Sequence, residues 1–306
     1  MPFLPVYDIN PLKQVSRPYV TWSLIAANVL VFLALGVSQQ VVFEYGFIPA
    51  QLAGVPLPTE FGGLGAIERL FTYQFIHGGL GHIFGNMLML FVLGDTVVGA
   101  LVHWRFLGFY VAAGVAAALA EVFIGLSPET PRVGASGAVY GVMAGYLLLF
   151  PNAKIAVVPP YVLFFWLFTQ RITWELPAFV VILIYIAVDL FSGLSALQAQ
   201  AASGVANWAH LGGAAAGAVL VLLLRREGRF REAPEVTSHG RQVFDRERLR
   251  RYEQRQPASS GPAPVVQEGR ARSPHLVKQI GGLGWMFLAA GLLWLLAGLG
   301  AVFLGR

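Results

Sequence analysis

GASGAVYGVMAGYLLLF, residues 134–150, decides the fold. A helix that crosses a bilayer needs about 20 mostly apolar residues, with a lower limit of about 17, because in hydrocarbon every backbone N–H and C=O must be satisfied within the segment. This stretch meets that need. It also repeats glycine at Gly137, Gly141 and Gly145, a stripe along which a second helix backbone approaches closely. At its head stands Ser136. Taken alone, a serine at such a position reads as a packing residue.

The rest of the chain is made of the same material. Of its 306 residues, 56% are hydrophobic and 12% charged, against about 25% charged in a soluble domain. Six further stretches qualify as spans: 19–37, 82–102, 106–126, 176–194, 206–224 and 283–304. Residues 155–168 are apolar but too short, contain Pro159 and Pro160, and lie between Lys154 and Arg171, so they are expected to be interfacial or re-entrant. There is no cysteine, which excludes disulfides, thiol catalysis and Cys-ligated zinc. The fold class expected is an all-α polytopic membrane protein.

Basic residues near span ends are retained on the cytoplasmic side. Lys13 and Arg17 precede the first span, Arg105 follows the second, Lys154 and Arg171 follow the fourth, and thirteen Lys and Arg residues fall within 225–278. The N-terminus is therefore expected inside, and the first span is expected to be a retained anchor rather than a cleaved signal. Four regions follow: a cytoplasmic tail 1–18, a six-span core 19–225, a basic linker 226–278 and a seventh transmembrane helix 279–306. The net charge of +5 comes mostly from that linker. Retention inside and attraction to the anionic lipid bilayer explain it, and no nucleic-acid partner is expected. Gln242 to Gln254 reads as a helix fragment in an otherwise flexible tether.

Polar residues inside spans are costly, so they mark function. Three clusters occur: HGGLGHIFGN at 77–86, GASG at 134–137, and AHLGG at 209–213. Each opens an even-numbered span, and those spans all start at one face of the membrane. Ser136, His210, His82 and Asn86 are therefore expected at one depth, within the first two turns. Gly213 and Gly217 lie three and seven residues past His210 and share its face, which would turn the imidazole toward the fourth span.

A serine hydroxyl becomes a nucleophile when an imidazole takes its proton. His210 is the expected base. The oxyanion of an acyl-transfer intermediate needs donors, and His82, Asn86 and the Ser136 N–H at an open helix start can supply them. His77 is expected outside the membrane proper, orienting its loop; Asp189 reads first as a buried, hydrogen-bonded structural acid, with a proton or water partner as its other reading, and Glu121 as a residue reaching the interface. No HExxH pair or acidic ligand set accompanies the histidines, so no metal and no cofactor is expected. A soluble hydrolase elbow would need glycine at 138, where Ala138 stands.

GASGAVYG at 134–141, HGGLGHIFGN at 77–86 and AHLGGAAAG at 209–217 together resemble the serine, oxyanion and histidine motifs of the rhomboid family, in that family's order. The resemblance covers roughly residues 19–225. It implies a six-helix bundle, here with an extra C-terminal transmembrane helix. It also implies an intramembrane serine endopeptidase, working through a Ser-His dyad and an acyl-enzyme on transmembrane segments of single-pass proteins. Ser136 matches the nucleophile, His210 the base, and His82 and Asn86 the oxyanion side chains. Tyr140 matches a tyrosine that stacks on the imidazole, and Gly134, Ala135 and Gly137 line the approach to the serine. No aspartate partner is required by that resemblance.

Two positions depart from the family pattern. Glu68-Arg69 stands where a Trp-Arg pair is usual, and Gly94-Asp95-Thr96-Val97-Val98 where Gly-Asp-x-x-Glu is common. The expected location is a bacterial inner membrane, with the site opening outward. The alternatives are a rhomboid-like pseudoprotease that binds membrane clients without cutting them, and a small transporter; no paired inverted segments support the latter.

Overall fold

The computed structural model describes residues 4–9, 18–56, 64–124, 127–159, 173–199 and 206–224. The basic linker and the seventh span lie outside the described residues. Strand β1 (Leu4–Asp8) precedes α1 (Tyr19–Leu35), the short helices α2 (Gln39–Tyr45), α3 (Pro49–Leu52) and α4 (Ala66–Thr72), and a 3-10 turn (Tyr73–Phe75). Then come α5 (Leu80–Leu101), α6 (His103–Ile124), α7 (Ser136–Leu149), β2 (Lys154–Val158), β3 (Trp174–Pro177), α8 (Ala178–Ala199) and α9 (Asn207–Leu224). The chain is an α-helical polytopic membrane protein. Helices α5, α6, α8 and α9 are long and apolar enough to cross a membrane, and α1 and α7 are shorter apolar helices.

Exposed side chains say what surrounds the bundle. Leu33 on α1, Trp104 and Phe123 on α6, Phe191 on α8 and Leu223 on α9 are each more than 70% exposed. A belt of that kind suits lipid, not water. Helix α5 is almost wholly buried among the other elements.

Helix α7 has 14 residues and so spans about 21 Å, less than a hydrocarbon core of about 30 Å. Non-helical backbone at membrane depth is tolerated only where protein satisfies it. Here it is satisfied. Phe47 and Arg132 exchange backbone hydrogen bonds at 2.9 and 2.7 Å, and the Gly134 N–H donates to the Tyr73 carbonyl at 2.9 Å. Ser136 therefore opens a helix whose approach is sunk among other elements.

The glycine stripe packs as the sequence predicts. A Cβ placed on Gly213 would lie 2.0 Å from the Gly137 carbonyl oxygen, and one on Gly217 would lie 2.4 Å from the Gly141 Cα. No side chain fits between α7 and α9 at either point, so the backbones themselves are in contact.

Two expectations need amendment. A three-stranded antiparallel sheet, β1-β2-β3, joins the N-terminal segment to the chain entering α8, with Leu4 opposite Val158 and Val157 opposite Trp174. The interfacial stretch 155–168 thus begins as a strand; its remainder from 160 lies outside the described residues. Helix α8 also runs to Ala199, beyond the apolar stretch that ended at 194.

Candidate active site

The N-terminal ends of α5, α7 and α9 meet. At that meeting His210 Nε2 lies 2.8 Å from Ser136 Oγ. His210 sits in the first turn of α9, and Gly213, on the same face, brings that turn against Gly137. Tyr140, one turn past Ser136, lays its ring on the imidazole with centroids 4.4 Å apart and planes 10° apart. The stacked ring confines the imidazole to one plane.

The approach to Ser136 is shaped by Gly134, whose φ of 123° is a conformation that L side chains rarely adopt. A Cβ there would also lie 2.6 Å from His82 Nε2 and 3.6 Å from Asn86 Nδ2. Glycine is therefore required twice over, by backbone and by space. Ala135 follows as a fully buried N-cap that gives α7 no side-chain cap, so the Ser136 N–H at the helix start is left to the site.

His82 and Asn86 face this cradle from α5. The Gly78 N–H donates to His82 Nδ1 at a long 3.4 Å, which assigns the ring proton to Nε2, the atom beside Gly134. Asn86 is 7% exposed, and its Nδ2 is buried with no hydrogen-bond partner among the described residues. A buried unpaired donor costs about 1–3 kcal/mol, so a donor retained in this state suits an acceptor that arrives with the reaction.

His77 lies in the loop ahead of α5, as expected, and is packed there. It is 1% exposed and packs edge-on to His82, with ring centroids 5.1 Å apart. Burial, with the His82 ring beside it, pushes the His77 imidazole down to about 3, so it is a neutral wedge behind His82.

Three side chains do more than the sequence indicated. Arg69 is fully buried and its guanidinium donates to the carbonyls of Phe43, of Gly46 at 3.0 Å and of Leu64 at 3.2 Å. The arginine of the expected Trp-Arg pair thus staples the loop region between α1 and α5 without its tryptophan. Glu121, expected at the interface, is 2% exposed: it pairs with Arg132 at 3.0 Å and accepts the Ala209 N–H at 3.0 Å. It satisfies an open donor in the first turn of α9, next to His210.

Asp189 on α8 is the third. Its Oδ1 accepts from the Asn207 amide at 2.8 Å, its Oδ2 accepts from the Tyr140 hydroxyl, and the same Oδ2 lies 3.2 Å from His210 Nδ1. A signal was present in the sequence: one acid in an otherwise apolar span, a few residues from its C-terminal end, falls level with His210 at the head of the next span. No metal-holding group of three or more His, Cys, Asp or Glu side chains occurs among the described residues.

Comparison with known proteins agrees in kind. The rhomboid domain family matches residues 65–227. The chain is 32% identical over 110 residues to "Rhomboid-related protein 2" of Mus musculus, a match covering 36% of this chain and 34% of that protein. It is 31% identical over 161 residues to "RHOMBOID-like protein 4" of Arabidopsis thaliana, covering 51% and 34%. With "RHOMBOID-like protein 12, mitochondrial" of the same plant the identity is 27% over 183 residues, covering 55% and 49%. The chain thus spans from a third to a half of the length of these curated relatives.

Proposed function

Because this chain belongs to the rhomboid family, we propose that it is an intramembrane serine endopeptidase that cleaves transmembrane segments of single-pass membrane proteins. The observation that carries this reading is the 2.8 Å separation of Ser136 Oγ and His210 Nε2 at the heads of two packed apolar helices, beside an unpaired Asn86 amide. Ser136 attacks the scissile carbonyl while His210 takes its proton, and the same proton passes to the leaving amine. The Asn86 amide, the His82 Nε2–H and the Ser136 N–H receive the oxyanion. Water then releases the acyl-enzyme by the reverse proton path. No cofactor enters any step.

A substrate helix must expose a carbonyl that its own hydrogen bonds shield, so segments weak in helix propensity are the preferred clients. By the family resemblance we propose that it enters beside α8 and residues 195–205, and from the distribution of Lys and Arg that the N-terminus is on the cytoplasmic side. The relatives come from an animal and a plant, so they lend no support to a bacterial inner membrane, and the proposal extends only to embedding and orientation.

The test is co-reconstitution in liposomes with a panel of single-pass reporter helices, comparing the wild type with Ser136→Ala and His210→Ala. Cleavage by the wild type and a loss on the order of 10³-fold or more in each variant is expected. Equal cleavage by all three would end the assignment. A wild type that cuts no reporter and resists a fluorophosphonate would leave the client-binding pseudoprotease.

A further inference from the structure

We propose that Asp189 is a positioning residue of the reaction: its carboxylate fixes the tautomer and plane of His210 and stabilises the imidazolium that forms when Ser136 gives up its proton. This inference rests on the serine–histidine reading above and changes it from a dyad to a three-membered relay.

The order of atoms carries it. Ser136 Oγ lies 2.8 Å from His210 Nε2, and on the far side of the same ring Nδ1 lies 3.2 Å from Asp189 Oδ2. A neutral imidazole has one N–H. For Nε2 to accept the serine proton, the N–H must be on Nδ1, and an acceptor beside Nδ1 selects that tautomer. Asp189 Oδ2 is that acceptor. In the resting arrangement the Nδ1–H does not point at Oδ2 closely enough for an aligned hydrogen bond. Contacts of this kind are commonly loose before substrate binds and tighten in the reacting complex.

The carboxylate is held as machinery is held. Oδ1 takes the Asn207 amide at 2.8 Å, from the first turn of the helix that carries His210. Oδ2 takes the Tyr140 hydroxyl, from the helix that carries Ser136, and the Tyr140 ring is the one stacked on the imidazole. Both oxygens therefore receive donors, which suits an ionised acceptor. Gly193, one turn further along α8, leaves room for this approach: a Cβ there would be 3.3 Å from the Trp208 indole and 3.4 Å from Asn207 Cβ. Asp189 itself is 6% exposed, so its charge acts through little water.

The proton accounting closes without Asp189 changing state. The proton leaves Ser136 Oγ for Nε2 and leaves Nε2 for the amine. Between those events the ring carries one positive charge, 3.2 Å from one negative charge. A carboxylate so placed makes the imidazole a stronger base toward Ser136 and stabilises the imidazolium that links the two transfers.

The experiment uses the full chain in detergent or liposomes, with Asp189→Asn and Asp189→Glu, and reads three quantities. These are kcat and KM on a cleaved reporter, the rate of fluorophosphonate labelling at Ser136, and the end-point extent of that labelling. Asp189→Asn keeps size and an acceptor for Tyr140 but removes the charge. We expect kcat and the labelling rate to fall together by on the order of 10²–10⁴-fold, with KM within about threefold and a full labelling end-point. Asp189→Glu should recover more of the rate than Asp189→Asn.

A merely structural acid would behave otherwise. The labelling end-point would drop in proportion to activity, because only folded enzyme reacts, and glutamate would be no better than asparagine. Either that pattern or a wild-type rate in Asp189→Asn overturns the proposal. Ser136→Ala keeps the two readings apart: if it still cuts the reporter, the serine reading itself has failed, whereas a silent Ser136→Ala beside a fully active Asp189→Asn rejects only the third member.

Discussion

Two aspartates hold two ends of the same helix, and they hold them differently. Near the head of α7, Tyr140 gives its hydroxyl to Asp189; near its foot, Tyr146 gives its hydroxyl to Asp8 at 2.6 Å, an oxygen cluster that also takes the Thr96 hydroxyl at 2.5 Å. Asp8 ends β1, so its bonds tie the small sheet to α5 and α7. At that end both of these hydroxyls have an acceptor. At the other end Asn86 Nδ2 has no partner among the described residues, His77 is buried neutral, and His210 Nδ1 stands close to a carboxylate without full alignment. Bonds already made stabilise the resting fold; bonds left unmade are available to a reacting group.

The largest effect expected from this contrast is on catalysis. Asn86→Ala removes one oxyanion donor and should lower kcat by about 10²–10³-fold. It should leave the melting temperature unchanged or raised, because the donor it removes is buried and unpaired in the resting state. Reporter cleavage and thermal unfolding of the same preparation check both halves. A fall in melting temperature that tracks the loss of activity would make Asn86 a structural residue and erase the contrast.

The foot of α7 should give the converse result. Tyr146 is fully buried, so Tyr146→Phe leaves its shape intact and removes one bond to a carboxylate. A stability loss of about 1–2 kcal/mol is expected, with kcat within about twofold of wild type. Should kcat fall as far as it does in Asn86→Ala, the sheet and the reactive end are coupled, with α8, which β3 feeds directly, as the connecting element.

The contrast also explains what the sequence disclosed. The apolar helices α1 and α5 to α9, the glycine contact between α7 and α9 and the meeting of Ser136 with His210 follow from periodicity and from the shared direction of even-numbered spans. Those are local patterns repeated along single helices. The sheet was not legible because β1 pairs with a strand about 150 residues away, and the pairing depends on register rather than composition. Glu121 was misplaced at the interface, and the partners of Asp189, expected to be buried and hydrogen-bonded, were not named, for a related reason: an acid within a span announces that it has a partner, but not which helix supplies it. Arg132 and the Ala209 N–H, or His210, Tyr140 and Asn207, come from elements far apart in the chain.

The smallest expected effect concerns pH, and it tests whether the reactive end is where acid weakens the fold. His77 lies before α5 and is held down to about 3 by burial and by its neighbour His82, whereas an unfolded histidine titrates at about 6.5. Between those values the unfolded chain binds a proton that the folded chain refuses, so stability is fully present above about pH 6.5 and is lost as pH falls toward 3. One pH unit below 6.5 this amounts to about 1.4 kcal/mol. His77→Phe keeps a ring against His82 and removes the titration. Melting curves of the two proteins at pH 7.5 and 5.5 should show a shallower acid loss in the variant, by a few degrees. Parallel losses would mean that water reaches His77 in the folded protein, and the imidazole pair would then contribute nothing to the difference between the two ends.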